Sequence, residues 1–292
     1  LRSLLFVPGD DARKIARGLA SGADALILDL EDSVAPARKE AARGLVRETL
    51  AARQPDGPRL LVRVNALRSG EIAADLDGVM PGRPDAVMLP KCEGGADIQH
   101  LGALIAVREA EHAIGDGATG IIAIATETPL ALFRLGTIPG ASLRLQGLTW
   151  GAEDLAGAVG AERNRGEAGA YTAPFQLARS LALFAAAAAE VPAIDSVYVD
   201  FRDEAGLRAE AEAGRRDGFT AKMAIHPAQI AIINAVFTPD SAMIAHAARI
   251  VALFAANPDQ GVIGLDGQMV DRPHLVQAER ILARARAAGL PV

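Results

Sequence analysis

Eight short aliphatic runs, each four to six residues long, recur along the chain and alternate with amphipathic stretches. They read as strands over Ser3–Val7, Ala25–Leu30, Leu60–Val64, Ala86–Leu89, Ile121–Ala125, Leu143–Leu148, Ser196–Val199 and Ala221–Ile225. Helical segments such as Asp11–Ala20, Pro36–Ala51, Ala96–His112 and Pro174–Glu190 lie between them. In the first, Ile15 and Leu19 share a face, Asp10 or Asp11 supplies an N-cap and Gly22 a stop. Continuous apolar strands separated by helices belong to a parallel sheet buried on both faces. Eight of them predict an α/β fold closed into a (β/α)8 TIM barrel rather than an open sheet. The barrel is expected over residues 1–237, followed by a C-terminal helical extension over 238–292. After the eighth strand the chain reads as a helix at Gln229–Phe237, a longer one at Ser241–Ala256, an irregular stretch, and a last helix from Leu275 to Ala288.

Composition narrows the function classes. The 292 residues are 50% apolar with a net charge of −6, which disfavours nucleic acid or an anionic membrane as partner. The single cysteine, Cys92, leaves no intrachain disulfide and fits a reducing, cytoplasmic setting. LRSLLFVPGD is too short an apolar run for a signal peptide. The reading finds no run approaching the roughly 18 apolar residues of a membrane span. The sequence Gly115–Gly120 fits G-x-G-x-x-G but precedes a strand instead of linking a strand to its helix, so it reads as a turn.

A barrel of this kind carries its chemistry where strands end. There the chain reads VPGDDARK, LDLEDSV, VRVNA, LPKCE, ATETP, TWGAEDL, VDFRD and IHPAQ. Glu127 and Asp154 follow neighbouring strands, and buried acids need a partner. They are read as ligands of one Mg2+, which keeps water and accepts substrate oxygens; the plain alternative is a pair of N-capping acids. Arg63, inside LLVRVN, needs a carboxylate partner, expected in Asp29 or Glu31, and its fork suits a substrate carboxylate as well. Asp29, Glu31 and Asp32 are expected to support Arg63 and the metal, or else to cap the next helix. Lys91 is read as a solvated or ion-paired lysine, with a Schiff-base role as the minor alternative. His226 reads as a helix-start residue, Glu153 as a helix-start acid and Cys92 as inert.

LLFVPG, GADALILDLEDSV, RVNA, ETP, GAEDL and KMAIHPAQ, in that order, resemble the citrate lyase β subunit-like group of the HpcH/HpaI aldolase superfamily, which includes malyl-CoA and citramalyl-CoA lyases. The resemblance spans nearly the whole chain. It implies a Mg2+-dependent TIM-barrel enzyme that cleaves a β-hydroxyacyl-CoA to acetyl-CoA and an α-keto acid, working as a homotrimer or a dimer of trimers. It assigns Glu127 and Asp154 to the metal and Arg63 to substrate. Phe6 and Ala152–Asp154, Glu153 included, line the substrate pocket, and Ile225 and His226 meet the CoA chain. Asp271, with Asp266 in reserve, stands for an acid or base supplied by a neighbouring subunit. Where relatives often carry Arg-Pro this chain has Asp11-Ala12, leaving Lys14 and Arg17 to meet CoA phosphates.

Citramalyl-CoA is the preferred substrate, because small residues around Asp154 leave room for a methyl group. Malyl-CoA, hydroxymethylglutaryl-CoA and a carrier-bound citryl group are the alternatives, with a pyruvate aldolase acting on free aldehydes as a further enzyme reading. A CoA- or keto-acid-binding protein without turnover is the non-enzymatic one.

Overall fold

The protein is described by a computed structural model covering residues 1–167 and 169–292. It divides into two compact units, Leu1–Asn234 and Ala235–Val292. The first is a closed barrel of eight parallel strands in sequential order. The strands are β1 (Ser3–Pro8), β2 (Ala25–Asp29), β3 (Arg59–Arg63), β4 (Ala86–Leu89), β5 (Gly120–Ile124), β6 (Leu145–Thr149), β7 (Ala193–Asp195) and β8 (Ala221–Ala224). The helices between them are α1 (Ala12–Leu19), α2 (Lys39–Ala51), α3 (Ile72–Val79), α4 (Gly95–Glu111), α5 (Pro129–Leu132), α6 (Ala152–Val159), α7 (Ala173–Ala188) and α8 (Glu204–Asp217). The short helix α9 (Ile230–Phe237) follows β8 and runs across the boundary between the units.

Side chains alternate across each strand, so every second residue points into the barrel. The inward set is Leu4, Ala25, Ile27, Leu61, Ala86, Met88, Ile122, Ile124, Ile194, Ala221 and Met223, packed as one apolar core with Phe6 and Val197 against it. Continuing these columns by two residues brings Asp29 after Ile27 and Arg63 after Leu61. β2 pairs with β3 so that these two are direct lateral neighbours. The aliphatic columns thus end in charge at the strands' C-terminal edge, and the register alone sets a carboxylate beside a guanidinium.

Two strand assignments shift. The seventh strand is Ala193–Asp195, not Ser196–Val199. The β-branched and aromatic residues Val197, Tyr198 and Val199 mimic a strand, but the pairing partners Leu148, Thr149, Ala221 and Lys222 take up the three residues before them. The sixth strand begins at Leu145, and Leu143 lies fully exposed before it. Helix ends follow local chemistry: Asp11 caps α1 by accepting from the backbone N–H groups of Arg13 and Lys14 at 3.0 and 3.1 Å. Gly115–Gly120 links α4 to β5 as a turn.

The second unit consists of α10 (Ser241–Ala256), a hairpin of β9 (Val262–Leu265) and β10 (Gln268–Asp271), and α11 (Arg272–Ala287). Its own core joins Ala247, Ile250 and Phe254 of α10 to Ile263, Val270, Ala278 and Leu282. The stretch expected to be irregular is therefore an antiparallel hairpin. Its turn residues Asp266 and Gly267 have φ of 52° and 79°, the left-handed pair that a tight two-residue hairpin turn demands. One expectation about membranes also needs correcting. Pro227–Ala256, at mean hydropathy 1.3, is long and apolar enough by length and composition to cross a bilayer. Thr238, Pro239 and Asp240 interrupt it, and Asp240 caps α10 through the N–H of Met243 at 2.8 Å. The stretch is thus two helices, each burying one face.

Candidate active site at the barrel mouth

A cavity of about 320 Å3 opens where the strands end. Its wall is apolar at Phe6, Ile124, Trp150, Val197, Met223 and Ile225, and polar at Asp29, Arg63, Glu127, Glu153, Asp154 and Ser196. Gly151 and Ala152 complete the side that carries Asp154. Of the residues singled out in the sequence, Phe6, Asp29, Arg63, Glu127, Ala152, Glu153, Asp154 and Ile225 thus come together on one concave surface.

Arg63 ends β3 and is clamped by two acids. Its Nε and Nη2 donate to Asp29 Oδ1 and Oδ2, both at 2.7 Å, a bidentate pair. Its Nη1 lies 3.0 Å from Glu31 Oε2, which has no aligned hydrogen bond of its own. The guanidinium carbon stands 4.8 Å from the Phe6 ring centroid, so the ring face backs the cation. Burial lowers the Arg63 pKa, but Asp29 and Glu31 more than offset this and raise it above its ordinary value. Burial raises Asp29, and Arg63 with the backbone of the next loop overcomes that and holds it below the usual carboxylate range. Asp29 also accepts from the N–H groups of Glu31 and Ser33 at 2.9 and 3.1 Å, so it fixes the loop while it holds Arg63.

Glu127 does not cap a helix: Thr128 caps α5, accepting from the N–H of Ala131 at 3.2 Å, and Pro129 opens the first turn. Only 4% of Glu127 is exposed. Its Oε2 accepts from the backbone N–H of Lys91, while Oε1 has no hydrogen-bond partner among the described residues. Burial, followed by the nearby charges of Asp154 and Glu31, pushes its carboxyl up to about 8, against the pull of the Lys91 N–H and Arg63. Gly151 is the N-cap of α6 and makes no side-chain cap bond, so Asp154 does not cap either; it stands with Glu153 in the first turn. A Cβ on Gly151 would come within 2.6 Å of Glu127 Cγ, so the bare glycine backbone is what gives the Glu127 side chain its place.

Lys91 is more closely tied to the acids than the sequence indicated. Its Nζ lies 2.5 Å from Glu31 Oε1, 3.4 Å from Asp32 Oδ2 and 3.4 Å from Asp154 Oδ1. The neighbouring Glu93 pairs with Arg68. Burial lowers the Lys91 pKa, but the acids outweigh it and raise it, which keeps the amine protonated and opposes Schiff-base chemistry. Cys92 is buried and its thiol is pushed up to about 12 by burial, in keeping with an inert side chain.

The remaining candidates of the barrel unit are not among the residues that line the cavity. Asp32 is exposed and reaches the cluster through Lys91. Lys14 and Arg17 are exposed on α1, outside the cavity lining, and Lys14 faces Asp11 at 3.9 Å. His226 is exposed, caps the turn after β8 by accepting from Ala228 N at 3.2 Å, and stacks on Phe201 with ring centroids 4.6 Å apart. Asp271 belongs to the second unit, where it ends β10 and caps α11, with Oδ1 2.5 Å from His274 Nδ1. Asp266, the reserve, pairs with Arg249 at 2.8 Å beside the hairpin turn.

Apart from Phe6 and Ile225, the apolar part of the wall is not singled out by the sequence reading. Ile124 and Met223 are the last inward residues of β5 and β8, so the period-two pattern contains them. Trp150 needed tertiary information: its Nε1 donates to Asp195 Oδ1 at 2.7 Å, on the outer side of the barrel wall.

Residues 2–227 match the family model described as HpcH/HpaI aldolase/citrate lyase. A citrate lyase subunit beta of Escherichia coli is 37% identical over 291 residues, covering 99% of this chain and 94% of that one. A (3S)-malyl-CoA thioesterase of Cereibacter sphaeroides is 39% identical over 290 residues, covering 98% and 95%. Among solved structures, CitE from Mycobacterium tuberculosis in complex with magnesium, acetoacetate and coenzyme A has a TM-score of 0.78 at 34% identity, covering 98% of both chains. On fold, sequence and the extent of the match, this chain belongs to the HpcH/HpaI aldolase/citrate lyase family.

Proposed function

We propose that the chain is a Mg2+-dependent lyase that splits a short β-hydroxyacyl-CoA into acetyl-CoA and an α-keto acid. The observation that carries this is the joint presence, in one cavity, of Glu127, Asp154 and the clamped Arg63. The donor set fits the ion. Glu127 is almost fully buried yet its Oε1 has no hydrogen-bond partner among the described residues, and Asp154 faces the same cavity. Among the described residues no cluster of three metal-ligating side chains occurs, which suits a hard cation that takes its remaining oxygens from water and substrate. That the M. tuberculosis structure is a complex with magnesium, acetoacetate and coenzyme A supports magnesium and a CoA-linked substrate for this chain. When bound, the ion supplies Lewis-acid polarisation of the substrate's hydroxyl and carboxylate oxygens.

The chain's own residues do the rest. Arg63, fixed by Asp29 and Glu31, offers its remaining N–H groups to the carboxylate and to the oxygen that becomes the ketone. In the cleavage direction the hydroxyl proton passes to solvent water, the carbon–carbon bond breaks, and its electron pair passes to the thioester α-carbon as an enolate. A proton delivered to that carbon completes acetyl-CoA. Asp271, brought by the hairpin unit of a neighbouring copy in a homotrimer or dimer of trimers, is the donor in this scheme. The cavity of about 320 Å3 suits a small organic acid, leaving the bulk of CoA outside, toward Ile225 and His226. Lys14 and Arg17, exposed on α1, are the candidates for its phosphates.

Citramalyl-CoA, yielding pyruvate, remains the preferred substrate, though for a different reason than small residues near Asp154. The space at Gly151 is taken by Glu127. Ile124, Val197 and Met223 supply the apolar surface that would meet a methyl group. A thioesterase reading is favoured by the 39% identical malyl-CoA thioesterase, and the products separate the two. Malyl-, citramalyl- and hydroxymethylglutaryl-CoA should be supplied in turn with Mg2+. Acetyl-CoA and keto acid in equal amounts are expected, most rapidly from citramalyl-CoA, with Glu127→Gln and Asp154→Asn slower by about a hundredfold or more. Free CoA thiol without acetyl-CoA would overturn the lyase reading.

A further inference from the structure

Lys91 touches both proposed metal ligands. Its backbone N–H donates to Glu127, and its ammonium lies 3.4 Å from Asp154 Oδ1. It also holds φ of 50°, a left-handed conformation that non-glycine residues adopt at a cost and that the surroundings must enforce. Five carboxylates crowd this edge of the mouth: Asp29, Glu31, Asp32, Glu127 and Asp154. Arg63 is committed to Asp29 and Glu31. Lys91 is the cation that faces Asp154, while Glu31 at 2.5 Å and Asp32 at 3.4 Å anchor it from the other side.

We propose that Lys91 is a resident counter-ion that competes with the divalent cation for Asp154 and so sets how weakly the substrate-free protein holds its metal. The inference rests on Glu127 and Asp154 being the ligands. An ammonium and a divalent ion on the same carboxylate repel each other, and at this half-buried edge, where both side chains are 33% exposed, the repulsion is screened in part but not abolished. Metal entry therefore has to draw Asp154 away from Lys91, which retires onto Glu31 and Asp32. Lys91 acts through Asp154 and is a positioning residue. The arrangement keeps the acid cluster from being locked by metal before the substrate, with its own carboxylate, joins the coordination.

The test is Mn2+ binding without substrate, followed by the electron paramagnetic resonance signal of the free aquo ion, so that no turnover is needed. Lys91→Met and Lys91→Gln should bind Mn2+ about tenfold more tightly than the unaltered protein, about 1.4 kcal/mol. Lys91→Arg, which keeps the charge, should stay within about threefold of it. A misfolded variant loses affinity, so a gain in both neutral variants cannot come from damage. Unchanged or weaker binding in both would overturn the inference. Asp154→Ala, measured alongside, should weaken binding at least about tenfold. If it binds like the unaltered protein, the ligand assignment itself fails; if it weakens while the neutral Lys91 variants do not tighten, only the role of Lys91 fails.

Discussion

Glu127 is where pH acts most directly on this site. Its ordinary carboxyl value is 4.5, and burial, with Asp154 and Glu31 nearby, lifts it to about 8 in the folded metal-free chain. A folded-state pKa above the unfolded one means that the folded chain binds the additional proton. The stability tied to that proton is fully present below about pH 4.5 and is lost as pH rises through about 8. In a chelator, the thermal midpoint should therefore fall between about pH 6 and pH 9. Glu127→Gln should flatten that fall, and added Mg2+ should reverse it by taking the proton's place. Parallel pH profiles for the two proteins in chelator would count against this account. Asp29 and Arg63 were readable as a pair from the sequence, because a charged residue that extends an inward aliphatic column needs a neighbour of opposite sign. The Lys91 contacts were not readable, since they join the loops after β2 and β4 across an intervening strand and 60 residues of sequence.

At the scale of elements, β7 and β8 are stitched to their covering helices by buried charge rather than by aliphatic packing alone. Lys222 of β8 is fully buried, with Nζ 2.9 Å from Glu210 Oε1 on α8 and 3.5 Å from Asp195 Oδ2 on β7. Asp195 also receives Arg179 of α7 at 3.1 Å and Trp150 at 2.7 Å. Asp195→Ala strands these donors, and removing one partner from such a buried group costs about 3–5 kcal/mol. Urea denaturation should show a loss of that size, whereas a loss below about 1 kcal/mol would mean that the network is not what holds these elements. The same network explains the misplaced seventh strand. Asp195 looks like a strand breaker in sequence, and only its buried partners allow it to end a core strand. The hairpin in the second unit has a legible signal, Asp266-Gly267 between VIGL and QMVD, which the Gly, Asp and Pro residues around it mask as irregular chain.

Over the whole molecule, the eight-fold alternation was sufficient to predict the closed barrel, because parallel strands buried on both faces leave few other architectures. Sequence pattern also concentrated the polar residues at one end, and most of the expected site residues meet there. What it left out is long-range: which acids neutralise Lys91 and which outer residue orients Trp150. The net charge of −6 sharpens the functional question, since the CoA thioester proposed as substrate is itself a polyanion and gains little from the molecule's overall field. Recognition then has to be local, which puts weight on a cation at the floor of the mouth. A crystal grown with Mn2+ in place of Mg2+ and measured for anomalous scattering tests this most directly. The account predicts one strong peak within about 2.0–2.3 Å of carboxylate oxygens from both Glu127 and Asp154, on the side of the cavity facing Arg63. A saturated crystal with no peak there, or with the ion held by other residues, would contradict it.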